Sequence, residues 1–231
     1  MKFHFSDVKP AVQKETAGQG RVLRAAKATF IASGGSKFSA RAVAKEAGIT
    51  LRAVQHFYPT TDQLLAAVLE FVVNQFESAY EALFRTLPFN GEARLLGVVD
   101  ILLDSNWEQE TRQVFYGLYA LSCYNEFAAT LMRQMFERHI QNLASLIGGA
   151  RPRLSEKQCY ELAVHLAATI DGAMVVTARS SHPIVNKISL SRIVRSNLVT
   201  LLDSDEERSV AKPAKVRPRP TGAAVARRTA R

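Results

Sequence analysis

The chain has 231 residues, 47% of them hydrophobic, with a formal net charge of +9, enough for one large or two modest domains around a sizeable core. Residues 1–60 carry ten Lys/Arg against three Asp/Glu, residues 208–231 carry eight and none, and the body between them is left at −6. A polyanionic partner, nucleic acid or an anionic membrane surface, is therefore expected at the ends rather than across the body. Cys123 and Cys159 are too few for a disulfide framework or a cysteine zinc site, and both are expected to be buried free thiols in a reducing cytosol.

The first residues lack an apolar core of signal-peptide length. A charge interrupts every apolar run before it reaches the ~18 residues of a bilayer span, so a cytoplasmic protein without a membrane partner is expected.

Residues 1–18 read as an irregular lead-in. From Gln19 to Ile31, Val22, Leu23, Ala26 and Phe30 recur at helical spacing, with Arg21, Arg24 and Lys27 between them. Gly34-Gly35 should end this helix in the left-handed conformation. Ser39 caps a second, short helix with Val43, Ala44 and Ala47 inward, and Gly48 ends it. Thr50 caps a third, from Leu51 to about Tyr58, which stops at Pro59. Two short helices joined by a tight glycine turn make a helix-turn-helix, placing a DNA-binding domain over 19–60.

Thr60 or Thr61 caps a long helix reaching about Thr86, with Leu64, Leu65, Val68, Leu69, Val72 and Phe76 apolar. Further helices are predicted over 92–105, 108–122, 126–147, 155–179 and 189–202, giving an all-α body over 61–202 with about nine helices in the whole chain. GGARPR and SHPIVNK read as the loops before the last two. Residues 203–231, rich in Ala, Pro, Lys and Arg, lack the apolar residues to offset ordering entropy and are expected to be a basic disordered tail. Its Lys212, Lys215, Arg217, Arg219, Arg227, Arg228 and Arg231 can track DNA phosphates or simply be solvated.

Residues 39–65, SARAVAKEAGITLRAVQHFYPTTDQLL, resemble the DNA-binding signature of the TetR family of bacterial repressors. The likeness extends over roughly 20–70 and rests on Ser39, Val43, Ala44, the Ala47-Gly48-Ile49-Thr50 turn, Val54, His56-Phe57-Tyr58-Pro59, Thr60 and Leu64. It implies a third helix that enters the major groove. Ile49, Val54 and Phe57 would anchor that helix, leaving Thr50, Leu51, Arg52, Gln55 and His56 toward DNA. Arg52 is suited to guanine and Gln55 to adenine. Lys37, Ser39, Arg41, Lys45, Tyr58 and Thr61 are the remaining candidates, chiefly for phosphate contacts. The family often has Gly or Pro at Arg52 and usually Tyr at Gln55 and Lys at Thr61, so two base-reading positions are atypical and Thr61 offers phosphate a hydroxyl in place of a charge.

The resemblance also implies a homodimer through the last two helices. There Leu162, Leu166, Ile170, Ala173, Met174 and Thr177, and then Leu190, Ile193, Val194, Leu198 and Leu201, recur at helical spacing, with an ordinary intramolecular core as the competing reading of these stripes. It further implies two recognition helices ~34–36 Å apart on a palindromic operator and release by a small-molecule effector. The aromatic middle of the body supplies Trp107, Phe115, Tyr116, Tyr119 and Phe136 as candidate cavity residues, with His165 and Asp171 as polar ones; plain core is the competing reading for each. Glu161 and His165 share a helical face but fall short of a metal site. Without a phosphate loop or nucleophile elbow, neither catalysis nor a cofactor is expected. An activator, a ligand-independent regulator, a sequence-independent DNA-binding protein and a helical protein-interaction module remain open alternatives.

Overall fold

The computed structural model describes residues 16–34, 37–89, 91–178, 182 and 186–210, the last five by backbone alone. All regular structure among them is helical: α1 (Ala17–Ser33), α2 (Ala40–Ala47), α3 (Leu51–Phe57), α4 (Thr61–Phe84), α5 (Gly91–Ser105), α6 (Gln109–Ser122), α7 (Glu126–Ala150), α8 (Glu156–Thr177) and α9 (Lys187–Val210). Side-chain oxygens start most of them. Ser39, Thr50 and Asn125 each accept from the backbone N–H three residues on, and Thr16/Gln19, Thr60/Gln63 and Ser155/Gln158 form reciprocal capping boxes. Gly34 and Gly48 stop α1 and α2 at φ 56° and 63°, where a Cβ would be strained.

Two apolar clusters divide the interior. The N-terminal one is built on Val22, Ala26, Phe30, Val43, Ala47 and Val54 from α1–α3, and on Leu64, Val68 and Leu69 from α4. It also takes in Val114 and Leu118 of α6 and Ala128 and Met132 of α7. The second joins α5, α7, α8 and α9 through Leu95, Val99, Leu143, Ile147, Leu166, Ile170, Val194 and Leu198. At 1.5 Å per residue, the 24-residue α4 is about 36 Å long. Its first half therefore packs with the helix-turn-helix while its second half walls the body.

Four sequence expectations are corrected. The penultimate loop does not begin at Gly148, because α7 runs through Gly148 and Gly149 to Ala150, with Gly148 close against Cys159 Sγ. The last helix begins at Lys187 and continues past 202 to Val210, so the tail cannot begin at 203; residues 211–231, including the basic cluster, lie outside the described residues. Cys159 is buried, but Cys123 is exposed. Finally, α8 is by length and composition apolar enough to cross a bilayer, with a mean hydropathy of 1.3 over its most apolar window. Nine of its residues, from Cys159 to Thr177, are nonetheless buried within this fold.

Candidate nucleic-acid interface and effector cavity

The short α3 is held by one face. Val54 is fully buried, and Leu51, Phe57 and Tyr58 are partly buried against the N-terminal cluster. Phe57 lies so close to α1 that a Cβ on Gly18 would meet its ring at 2.8 Å. Arg21 is a fixing residue that the sequence reading missed. Its Nε and Nη2 donate to the Ala47 carbonyl at 3.1 and 2.7 Å, satisfying the C-terminus of α2 at the turn. A positive charge at a helix C-terminus is also favourable to the dipole.

The opposite face of α3 is open. Thr50, Arg52, Gln55 and His56 are exposed, as are Lys37, Arg41, Lys45 and Thr61 around it. Ser39 and Thr50 spend their hydroxyls on capping, accepting from Ala42 and Ala53 N–H at 3.2 Å each. Half-buried Leu51 and Tyr58 present edges rather than whole side chains. The candidate DNA-facing side chains on α3 and on the segments before and after it in the chain are therefore largely solvent-facing.

A cavity of about 210 Å³ lies in the body between α4, α5, α6, α7 and α8. Six rings run through its wall in a continuous chain. Phe84 stacks on Tyr80 at 5.9 Å, Tyr80 approaches Phe76, Phe76 meets Phe115 at 5.4 Å, Phe115 leads to Tyr119, and Tyr119 stacks on Phe136 at 6.1 Å. Asp171 enters from α8. Burial pushes its carboxyl up to about 6, with the Tyr119 hydroxyl beside it opposing the shift. Burial, followed by the negative charge of Asp171, pushes the Tyr119 phenol up. His139 is kept neutral by burial, its imidazole lowered to about 4. Asn106 donates to the Ile170 carbonyl at 2.8 Å, fixing α8 next to Asp171.

Of the seven cavity residues expected from sequence, Phe115, Tyr119, Phe136 and Asp171 line the cavity. Three do not. Trp107 packs under the Arg112 guanidinium at 5.3 Å, Tyr116 donates to the Met174 carbonyl at 2.8 Å, and His165 is exposed on the outer side of α8. The sequence reading missed Tyr80 and Phe84, although Phe76, Tyr80 and Phe84 recur at i, i+4 and i+8 and so share one helical face. Among the described residues no cluster of His, Cys, Asp and Glu is arranged to hold a metal.

A helix-turn-helix docked on an all-helical body is the architecture of a DNA-binding transcription regulator. The profile described as the C-terminal domain of BetI-type transcriptional repressors matches residues 91–203. The HTH-type transcriptional regulator BetI of Escherichia coli is 26% identical over 144 residues, 62% of this chain and 72% of that protein. Among solved structures, a transcriptional regulator from Rhodococcus superposes with a TM-score of 0.66 at 22% identity, covering 83% of this chain and 98% of that one. A TetR regulator from Haloarcula marismortui gives 0.66 at 20%, covering 81% and 97%. A regulator from Saccharomonospora viridis in complex with choline gives 0.64 at 20%, covering 80% and 94%. The profile match, the BetI relative and the fold together support a transcriptional regulator of the TetR type.

Proposed function

We propose that the chain is a homodimeric repressor that binds a near-palindromic operator through α3 and is released by a small organic cation bound in the body cavity. The observation that carries the effector reading is the setting of Asp171. It is a carboxylate in a wall of six rings, and no ion pair to it occurs among the described residues. Aromatic faces attract a poorly hydrated cation through their quadrupoles, and a carboxylate adds the counter-charge. The choline bound by the S. viridis regulator supports the same ligand class.

DNA reading is assigned to Arg52, Gln55 and His56, with Thr50 and the edge of Leu51 beside them. Lys37, Ser39, Arg41, Lys45, Tyr58 and Thr61 position the phosphates. Dimerisation is assigned to the outer faces of α8 and α9. Tyr160, Val164, Val175 and Val176 of α8 are exposed, as are Ile188 and Ile193 of α9, with small Ala168 and Gly172 between them. A stripe of this length is the self-complementary surface a two-fold interface needs. The domain division proposed with it has residues 17–60 binding DNA and residues 61–210 binding the effector and pairing the subunits, with the protein at work in the cytoplasm on chromosomal DNA.

The test is fluorescence anisotropy of a labelled duplex from the protein's own upstream region. Saturating tetramethylammonium or choline should release the wild-type protein and leave the Asp171→Asn variant bound. Release of both variants alike contradicts the cation reading.

A further inference from the structure

Among the described residues the cavity wall holds three carboxylates, and two of them are already occupied. Glu81 accepts from Arg85 at 2.6 Å one turn further along α4. Glu77 accepts from both Nε and Nη2 of Arg138, at 3.1 and 2.5 Å, across the gap between α4 and α7. The third guanidinium in the wall, that of Arg94, donates to the carbonyls of Phe84 and Pro88 at 3.1 and 2.8 Å, where α4 ends. Among the described residues, Asp171 alone of these carboxylates has a neutral hydroxyl beside it in place of a cation.

We infer that Arg138 sets the charge number the site accepts: by occupying Glu77 it leaves a ligand one carboxylate, so singly charged organic cations are selected over doubly charged ones of the same shape. The inference rests on the cation reading of the cavity. A second ammonium entering beside Glu77 would lose hydration and meet an ion pair already satisfied, with a guanidinium at close range. The two-point geometry matters, because a fork that donates twice to one oxygen is harder to displace than a single contact. Neither partner is deeply buried, at 28% and 31% side-chain exposure, so the selectivity is expected to be moderate rather than absolute.

The probes are pentyltrimethylammonium and (4-aminobutyl)trimethylammonium, which differ only in a terminal methyl or ammonium. Calorimetric titration at pH 8 measures both on full-length wild type, Arg138→Gln, Glu77→Gln and the double variant. Wild type should favour the single charge. Arg138→Gln should move the affinity ratio toward the double charge by about fivefold, the scale of one solvent-screened charge pair. Glu77→Gln should move it the other way, because an unopposed Arg138 faces the second ammonium. The double variant should return near the wild-type ratio. Because the two single variants are expected to move in opposite directions, either one that folds tests the inference. Binding of pentyltrimethylammonium with an unchanged ratio in every variant overturns this inference alone. Binding of neither probe to wild type contradicts the cation reading and takes the inference with it.

Discussion

Asp171 carries a pH dependence whose sign is set by burial. Its carboxyl titrates near 6 in the fold against about 4 in an unfolded chain. The folded state therefore holds the proton more tightly, and stability is lost as pH rises from about 4 through 6. Asp171→Asn should raise the melting temperature at pH 7.5 and have little effect at pH 4. A cation requires the ionised form, so effector affinity should fall on going from pH 7 to pH 5, approaching about tenfold per unit below 6. His139, lowered to about 4, keeps its charge state over that window. A flat affinity profile from pH 5 to 7 would remove Asp171 from the ligand's first contacts. The sequence exposed Asp171 as a polar residue in an apolar helix, which is the signal of a buried functional carboxyl. His165 gave the same signal for another reason: it lies on the outer face of the same helix, and period alone does not say which side of a helix meets a cavity and which meets solvent.

At the scale of elements, α6 is placed to connect cavity and DNA-binding domain. Phe115 and Tyr119 line the cavity, while Val114 and Leu118 enter the N-terminal cluster. Gly117 lies against Phe30 of α1, where an added Cβ would come within 3.0 Å of the ring. The Lys27 ammonium bridges the same junction, reaching Glu110 of α6 at 2.6 Å and Gln75 of α4 at 2.8 Å. Gly117→Ala should cost about 1–3 kcal/mol through overpacking. It should weaken operator binding more than effector binding, read by anisotropy and calorimetry on one preparation. Equal loss at both sites would point to general destabilisation.

A second element-scale case is Arg21. Arg21→Met keeps the stem but leaves the Ala47 carbonyl without its two donors, an expected loss of about 1–3 kcal/mol in the thermal unfolding of the N-terminal cluster. A melt that matches wild type would contradict the clamp. Element order and most helix starts were legible because caps and breakers are local chemistry. The two missed ends have a shared cause. α7 continues through Gly148 and Gly149 because Gly148 packs against Cys159 of α8, and that packing offsets the helix cost of glycine. The SDEERSV run at 204–210 continues α9, and its Glu206, Glu207 and Arg208 are good helix formers that need no core, a property that composition alone disguises.

For the whole molecule, an α8 outer stripe carrying Val176 at 66% exposure and an α9 carrying Ile188 at 82% leave apolar surface that a second subunit would cover. Val164→Glu with Val176→Glu should yield a monomer by light scattering, and a monomer can engage only one half-site, so operator affinity should fall by well over tenfold. A variant that stays dimeric would place the interface elsewhere. The fold was readable from sequence because the helix-turn-helix signature is contiguous. The cavity was half readable, since Tyr80, Phe84, Glu77 and Arg138 converge on it from α4 and α7, and nothing in their spacing along the chain announces that meeting.

The proposed DNA recognition rests on α3 reading a two-fold operator. Its most direct test is a protection footprint on the upstream region with wild type and an Arg52→Ala/Gln55→Ala variant of unchanged melting temperature and oligomeric state. Wild type should protect two half-sites about one helical turn apart, and both should be lost in the variant at equal protein concentration. The same two protected half-sites under the variant, at undiminished affinity, would contradict it.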